Sequence, residues 1–275
     1  MVNNSFKLSK YRFTLEAVDN ISLPAYKGST FHGGFGHALM KISPIWYRYF
    51  FEPGLNKKGD WPKPFVLLPP LDEREHYPKG HQFYLELTLI GEATQHYAIA
   101  QAAIEYLGMQ MGLGYEQGKY KIIKIDHSQP LLTAIEKTQQ IKLHLPTRLR
   151  LKNKNRLQKD KPEFQLIITR LSGRLKTLEK AYMGKETQQD SYQELIHKAK
   201  AITIKNSKIK WDDWDRFSGS QKKWMKFGGL MGDVTYTGNL QPFMEQLELG
   251  EWLHIGNKTS FGLGKYEMET KEHQE

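Results

Sequence analysis

Residues 232–268 read GDVTYTGNLQPFMEQLELGEWLHIGNKTSFGLGKYEM, and the order of elements within this stretch decides the fold. The β-favouring opening predicts a strand, QPFMEQLEL predicts a short helix, and KYEM begins a second strand. Between the helix and the second strand lie Gly256, Gly262 and Gly264. Dinucleotide and P-loop motifs need a strand before their glycines and a helix after them. The reversed order here therefore disfavours a nucleotide cofactor.

The two halves of the chain repeat one order of elements. The first half predicts strands at 11–17, 81–90 and 119–125, with helices at 30–42 and 95–111 and a Gly-rich break, MGLGYEQG. The second half predicts strands at 141–152, within GGLMGDVTYTG and at KYEM, with helices at 164–183, 191–201 and QPFMEQLEL. Each order fits a ferredoxin-like unit. The predicted fold class is α+β: two tandem ferredoxin-like (RRM-like) domains, residues 1–135 and 136–275, with a C-terminal glycine-rich loop.

Composition limits the class of protein and of partner. The chain of 275 residues is 39% hydrophobic, which is enough for a packed core, and it contains no cysteine. Disulfides and thiolate metal sites are therefore excluded. No stretch approaches the about 18 apolar residues of a membrane span, so we expect a soluble, cytoplasmic protein with no membrane partner. The formal charge of +10 favours a polyanionic partner such as a nucleic acid.

A basic strand is predicted within LPTRLRLK, residues 145–152. Arg148, Arg150 and Lys152 alternate with Leu149 and Leu151, and a period of two places the cations on one face of a strand. Such a row suits a phosphate backbone. The stretch that follows, NKNRLQKDK, can equally be a solvated loop.

The stretch 232–268 resembles the C-terminal signature of the CRISPR-associated endoribonucleases that process precursor CRISPR RNA, members of the RAMP (repeat-associated mysterious protein) superfamily. The shared pattern is a strand, a short helix and Gly-x-x-x-x-x-Gly-x-Gly. LPAYKGSTFHGGFGHAL, residues 23–39, is similar to the family's N-terminal segment, with its Pro-containing turn and small-residue-rich first helix. The resemblance covers nearly the whole chain. Many relatives carry a cysteine cluster after the first helix, where this chain has ISPIWYRYFFEP and no cysteine.

The resemblance implies metal-independent cleavage within the repeats of precursor CRISPR RNA, without a cofactor. In the family's reaction the ribose 2′-OH attacks the adjacent phosphate and leaves 2′,3′-cyclic phosphate and 5′-OH ends. This chemistry needs a base, an acid and positive charge beside the phosphorus. The implied partner is CRISPR repeat RNA, and other CRISPR effector-complex subunits are candidates. The choice between monomer and homodimer stays open.

Two histidines are candidates for acid–base catalysis because imidazole titrates near neutral pH. His32 and His37 flank the run GGFG of the first predicted helix, and their directions differ by roughly 140°. The resemblance implies an active histidine in or just after this helix, which His37 fits best. His32 is the second candidate, with packing or RNA contact as its alternative. Lys152 is the candidate for charge stabilisation.

The predicted RNA-binding residues lie in the basic strand and the glycine-rich loop. They are Arg148, Arg150, Gly256, Lys258, Thr259, Ser260, Gly262, Gly264 and Lys265. The glycines are expected to act through backbone geometry, and a tight helix-to-strand turn is their alternative. The three aspartates of WDDWDRFS are expected to splay to both faces of a strand, so no metal site is predicted.

Two other functions stay open from the sequence alone. A non-catalytic RAMP subunit that only binds CRISPR RNA would keep the glycine-rich loop and the basic strand but would not require His37. An RNA-modifying enzyme with a small-molecule cofactor is disfavoured because the chain shows no recognisable cofactor motif.

Overall fold

The computed structural model describes residues 7–55, 61–130, 138–184, 189–218 and 223–270. The chain divides into two compact units, and the boundary predicted between residues 135 and 136 lies outside the described residues. The first unit comprises Met1–Pro130, Thr177–Lys185 and Ser260–Gly262. The second comprises Leu131–Lys176, Glu186–Thr259 and Leu263–Glu275. Within the described residues, no helix is both long and apolar enough to cross a membrane.

The first unit is built on a four-stranded antiparallel sheet. Its strands are β1 (Leu8–Ala17), β2 (Phe65–Leu68), β3 (Gln82–Ile90) and β4 (Tyr120–Ser128). Its helices are α1 (Gly28–Ile42), α2 (Pro44–Phe51) and α3 (Tyr97–Tyr106). The strand order across the sheet is β2-β3-β1-β4, and α1 and α3 occupy the two helical positions of a βαββαβ unit. This order confirms the predicted ferredoxin-like fold.

One side of α1 packs into the core of this unit. Phe31, Phe35 and Leu39 recur every four residues and are fully buried, as expected for the apolar stripe of an amphipathic helix. They join the sheet residues Phe13 and Leu85 in one hydrophobic cluster. The stripe fixes the rotation of α1 about its axis and so decides which α1 side chains can reach solvent.

The connection over residues 43–80, between the first predicted helix and the strand predicted at 81–90, is not a plain loop. It contains α2, with Pro44 at a first-turn position that tolerates proline, and the strand β2. It also contains His76–Tyr77, which pairs with Ile21–Ser22. The run WYRYFF lacks a clear apolar period, so this helix was not predicted. The predicted helix over 95–111 is in fact a 3₁₀ turn (Gly91–His96), α3 and a π-turn (Leu107–Met111).

The second unit repeats the architecture. Its main strands are β5 (Gln140–Leu149), β6 (Thr203–Ser207), β7 (Gly229–Thr237) and β8 (Glu267–Thr270), in the order β6-β7-β5-β8. Its helices are α4 (Phe164–Tyr182), whose residues from Thr177 are counted with the first unit, α5 (Gln189–Lys198) and α6 (Met244–Leu253). Shorter strands are Lys152–Asn153 paired with Arg156–Leu157, Lys210–Asp212 on β7, and Asp215–Ser218 paired with Lys223–Lys226.

Strand β5 is central to this second sheet and shows the predicted alternation. Ile141, Leu143 and Leu145 are buried, and the residues between them are partly exposed. The strand ends at Leu149, three residues before its predicted end, and the chain then enters the short hairpin that begins at Lys152. Lys152 is therefore not a residue of the basic strand.

Candidate functional site

Lys27 fixes the start of α1. Its side chain is fully buried, and its ammonium donates to the carbonyls of Ala25 (3.0 Å) and Asp72 (2.6 Å). The Asp72 carboxylate lies 3.3 Å from the same nitrogen and accepts a hydrogen bond from Tyr77 at 2.5 Å. Burial lowers the pKa of Lys27, and the Asp72 carboxylate opposes that shift. This network ties the residue before α1 to a segment 45 positions away.

The segment Ser260–Gly262 packs beside the first turns of α1. The Tyr26 hydroxyl donates to the Phe261 carbonyl at 2.6 Å. The Phe261 ring stacks on His32 with 3.7 Å between ring centres, and Ser260 Oγ lies 3.3 Å from His32 Nε2. Phe51 closes another side of the imidazole at 4.9 Å. His32 is thus 7% exposed and enclosed by aromatic rings.

His37 has a different environment. It is exposed and, with Thr30 and Gly34, lies on a second side of α1, at the spacing i, i+4, i+7. These residues form one wall of a pocket of about 400 Å³. The rest of the lining comes from the π-turn and the glycine-containing turn after it: Leu107, Gln110, Met111, Gly112, Leu113, Gly114 and Gln117. The sequence signalled this turn as a Gly-rich break, but it did not identify the pocket or its two glutamines.

The two arginines of the predicted basic strand contact other residues of the same chain. Arg148 forms an ion pair with Asp212 at 2.5 Å, and Arg150 donates to the carbonyl of Gly228. Lys152 is exposed in the hairpin after β5. His37 belongs to the first unit and Lys152 to the second. The two arginines therefore already have partners within their own unit, whereas the lysine is open to solvent.

The residues before and after Ser260–Gly262 are held by the backbone of the second unit. Ile255 N–H donates to the Gly264 carbonyl at 3.0 Å, and Gly264 N–H donates to the Arg148 carbonyl at 3.2 Å. Asn257 N–H donates to the Arg150 carbonyl at 3.0 Å. These bonds connect the chain around the glycines to the end of β5, so its path is fixed by the protein itself.

The predicted RNA-binding side chains of this loop differ in exposure. Lys258 is exposed, whereas Thr259 is 7% and Ser260 is 9% exposed. The Lys265 ammonium donates to the Glu251 carbonyl at 3.2 Å, in the last turn of α6, where the helix dipole favours a cation. The three glycines lie close to carbonyl oxygens: Gly256 to that of Arg150, Gly262 to that of Leu67 and Gly264 to that of Ile255.

Gly264→Ala is expected to lower the free energy of unfolding by more than about 1 kcal/mol. Gly264 has a φ of 74°, and a Cβ there would collide with the Ile255 carbonyl. Gly173→Ala on α4 is the matched control, because a Cβ there meets nothing within 4 Å and alanine favours a helix. Urea unfolding of both variants measures the effect. Equal stability of the two variants would contradict the strain assigned to Gly264.

No metal cluster is found among the described residues: they contain no group of three or more His, Cys, Asp or Glu that could hold an ion. Of the three aspartates of WDDWDRFS, Asp212 pairs with Arg148, and Asp213 accepts the indole N–H of Trp211 at 2.8 Å. The side chain of Asp215 lies outside the described part of the chain.

Two family models account for nearly the whole length of the chain. Residues 6–147 match a family described as an N-terminal domain, and residues 141–266 match the CRISPR-associated endoribonuclease Cas6. The class defined by this fold and these matches is that of RNA-cleaving enzymes with a RAMP-type architecture. The Cas6 match thus covers the C-terminal part of the chain, and the solved structures below extend the similarity of fold to the N-terminal part. No curated protein sequence matches it.

Solved structures share the fold at low sequence identity. Thermus thermophilus Cas6 (TTHB231) is 15% identical with a TM-score of 0.62, and the match covers 97% of this chain and 100% of that one. A product complex of Cas6 (TTHA0078) is 16% identical with a TM-score of 0.58, covering 96% and 99%. A partial Cas6-RT-Cas1–Cas2 complex is 14% identical with a TM-score of 0.64, covering 96% of this chain and 46% of that one. These matches extend over both ferredoxin-like units.

Proposed function

We propose that this protein cuts precursor CRISPR RNA within its repeats by metal-independent transesterification and so releases guide RNAs. The observation that carries the proposal is the exposed His37 in the wall of an open pocket, in a chain whose residues 141–266 match the Cas6 endoribonuclease family. An exposed imidazole is a group that can serve as the base or as the acid of this reaction.

The reaction exchanges one phosphodiester bond for another. The ribose 2′-oxygen forms a bond to phosphorus, and the bond from phosphorus to the 5′-oxygen breaks. The proton of the 2′-OH passes to a base, and the leaving 5′-oxygen receives a proton. The products are a 2′,3′-cyclic phosphate and a 5′-OH. We assign one of these two proton transfers to His37.

His32 fits a positioning role better than a catalytic one. Its ring is covered by Phe261 and Phe51, and its Nε2 lies beside Ser260. A ribose would have to displace those groups to reach the imidazole. We therefore assign His32 to holding the segment Ser260–Gly262 against α1. Lys152 remains the candidate for stabilising the negative charge that develops on the phosphoryl oxygens, since it is exposed and cationic.

RNA binding is proposed to rest first on exposed lysines. The net charge of +10 favours a polyanion, and Lys258 and Lys152 present their side chains to solvent. Arg148 and Arg150 could contact phosphate only by exchanging their present partners, Asp212 and the Gly228 carbonyl. The loop glycines, together with the buried Thr259 and Ser260, support the loop's shape. Other CRISPR proteins are further proposed partners, because a relative of this fold occurs in a Cas6-RT-Cas1–Cas2 complex.

The experiment is incubation of the purified chain with the repeat RNA of its own CRISPR array. The control is an RNA of the same length and composition with the repeat scrambled. One cut within the repeat, and none in the scrambled RNA, is the expected result. Tight, repeat-specific binding without a cut would instead favour the non-catalytic RNA-binding subunit.

A further inference from the structure

The turn between α3 and β4, beside the His37 pocket, is closed by backbone pairing. Leu113 and Gly118 pair through two backbone hydrogen bonds of 2.9 and 3.0 Å. Gly114 has a φ of 75°, and a Cβ there would collide with the Ser22 carbonyl. The turn therefore packs against the short strand Ile21–Ser22 with no room for a side chain at that point.

Tyr115 stands at the tip of this turn and is 100% exposed. Tyr77 and Tyr120 of the same unit are fully buried, so full exposure is not the usual state of tyrosine in this unit. Its neighbours Gly114 and Gln117 line the His37 pocket. The turn thus carries an exposed aromatic ring at the edge of the proposed active site.

We propose that Tyr115 is the stacking platform for an unpaired nucleobase of the RNA, and that Gln110 and Gln117 contact the edge of that base. The inference rests on the proposed function and adds a specificity element to it. Every base has a π-face, so stacking on an aromatic ring tolerates any base. Amide side chains both donate and accept hydrogen bonds, so they can distinguish one base edge from another.

The composition of the turn favours a base over the other groups that could cover Tyr115. The turn residues Gly114–Gln117 include no other apolar side chain, so the tip does not offer the broad apolar surface that protein partners usually bury. Glu116 lies next to Tyr115, and its carboxylate would repel a phosphate. Of the groups considered, the uncharged aromatic base of a nucleotide therefore fits Tyr115 best.

The test uses direct RNA binding, so it is informative whether or not the RNA is cut. Tyr115→Ala is expected to weaken binding of the repeat RNA about tenfold, and Tyr115→Phe to bind like the wild type. Tyr84→Ala is the matched control: Tyr84 is 46% exposed on the sheet, and its loss is expected to leave the affinity unchanged.

A set of repeat RNAs, each with one abasic nucleotide, then identifies the base. The wild type is expected to lose about tenfold in affinity at one position, and Tyr115→Ala to show no further loss there. The inference would be overturned if the losses in affinity from the abasic nucleotide and from Tyr115→Ala added at every position, or if Tyr115→Ala kept full affinity. In either case a specific cut by the wild type would still uphold the proposed function. A wild type that neither binds nor cuts the repeat would overturn both.

Discussion

A repeat RNA with a single 2′-deoxy nucleotide at the cut site is expected to bind with nearly unchanged affinity and to remain uncut. The 2′-OH is the nucleophile of the proposed reaction, and its removal leaves nothing to attack the phosphate. The phosphates that carry most of the binding energy are untouched. Cleavage under single-turnover conditions, read on a denaturing gel, measures the effect.

The control for this prediction moves the same modification one nucleotide along the strand. That RNA is expected to be cut at close to the unmodified rate, because its reacting ribose keeps the 2′-OH. Continued cleavage next to the deoxy position would rule out attack by the 2′-OH, and water would then have to be the nucleophile.

His37→Ala is expected to lower the single-turnover cleavage rate by about 10²–10⁴-fold, the usual contribution of a general acid or base. His37 is exposed and stands apart from the core stripe of α1, so its removal is expected to leave the unfolding temperature and the RNA affinity unchanged. His197→Ala, an exposed histidine on α5, is the matched control and is expected to cut at the wild-type rate.

The variant His32→Ala distinguishes the role assigned to His32 from the role assigned to His37. Loss of this buried ring removes its contacts with Phe261 and Phe51, so we expect a lower unfolding temperature. If His32→Ala abolished cleavage at full stability while His37→Ala kept cutting, the roles assigned to the two residues would be reversed.

The order of elements could be read from the sequence because it depends on local periodicity. β5 shows the period of two over residues 141–149, and α1 shows its stripe at Phe31, Phe35 and Leu39. The position of this buried stripe could also have indicated which of the two histidines is exposed. At about 100° per residue, His32 lies roughly 60° from Phe35, on the buried side, whereas His37 lies roughly 160° away.

Long-range partners could not be read in this way. Lys27 and Asp72 are 45 positions apart, and Arg148 and Asp212 are 64 positions apart by their numbering. The sequence marks these residues only as charged, and a charged residue is usually exposed. Which of them is buried against which partner depends on the packing of segments that are distant in the chain. The predicted row of cations therefore did not reveal that Arg148 and Arg150 already have partners within the chain.

Cleavage of the repeat RNA in excess EDTA, with analysis of both product ends, is the decisive test of metal-independent attack by the 2′-OH. The proposed mechanism predicts one cut at an undiminished rate, with a 2′,3′-cyclic phosphate on one fragment and a 5′-OH on the other. Loss of cleavage in EDTA that Mg²⁺ restores, with 5′-phosphate and 3′-OH ends, would contradict it.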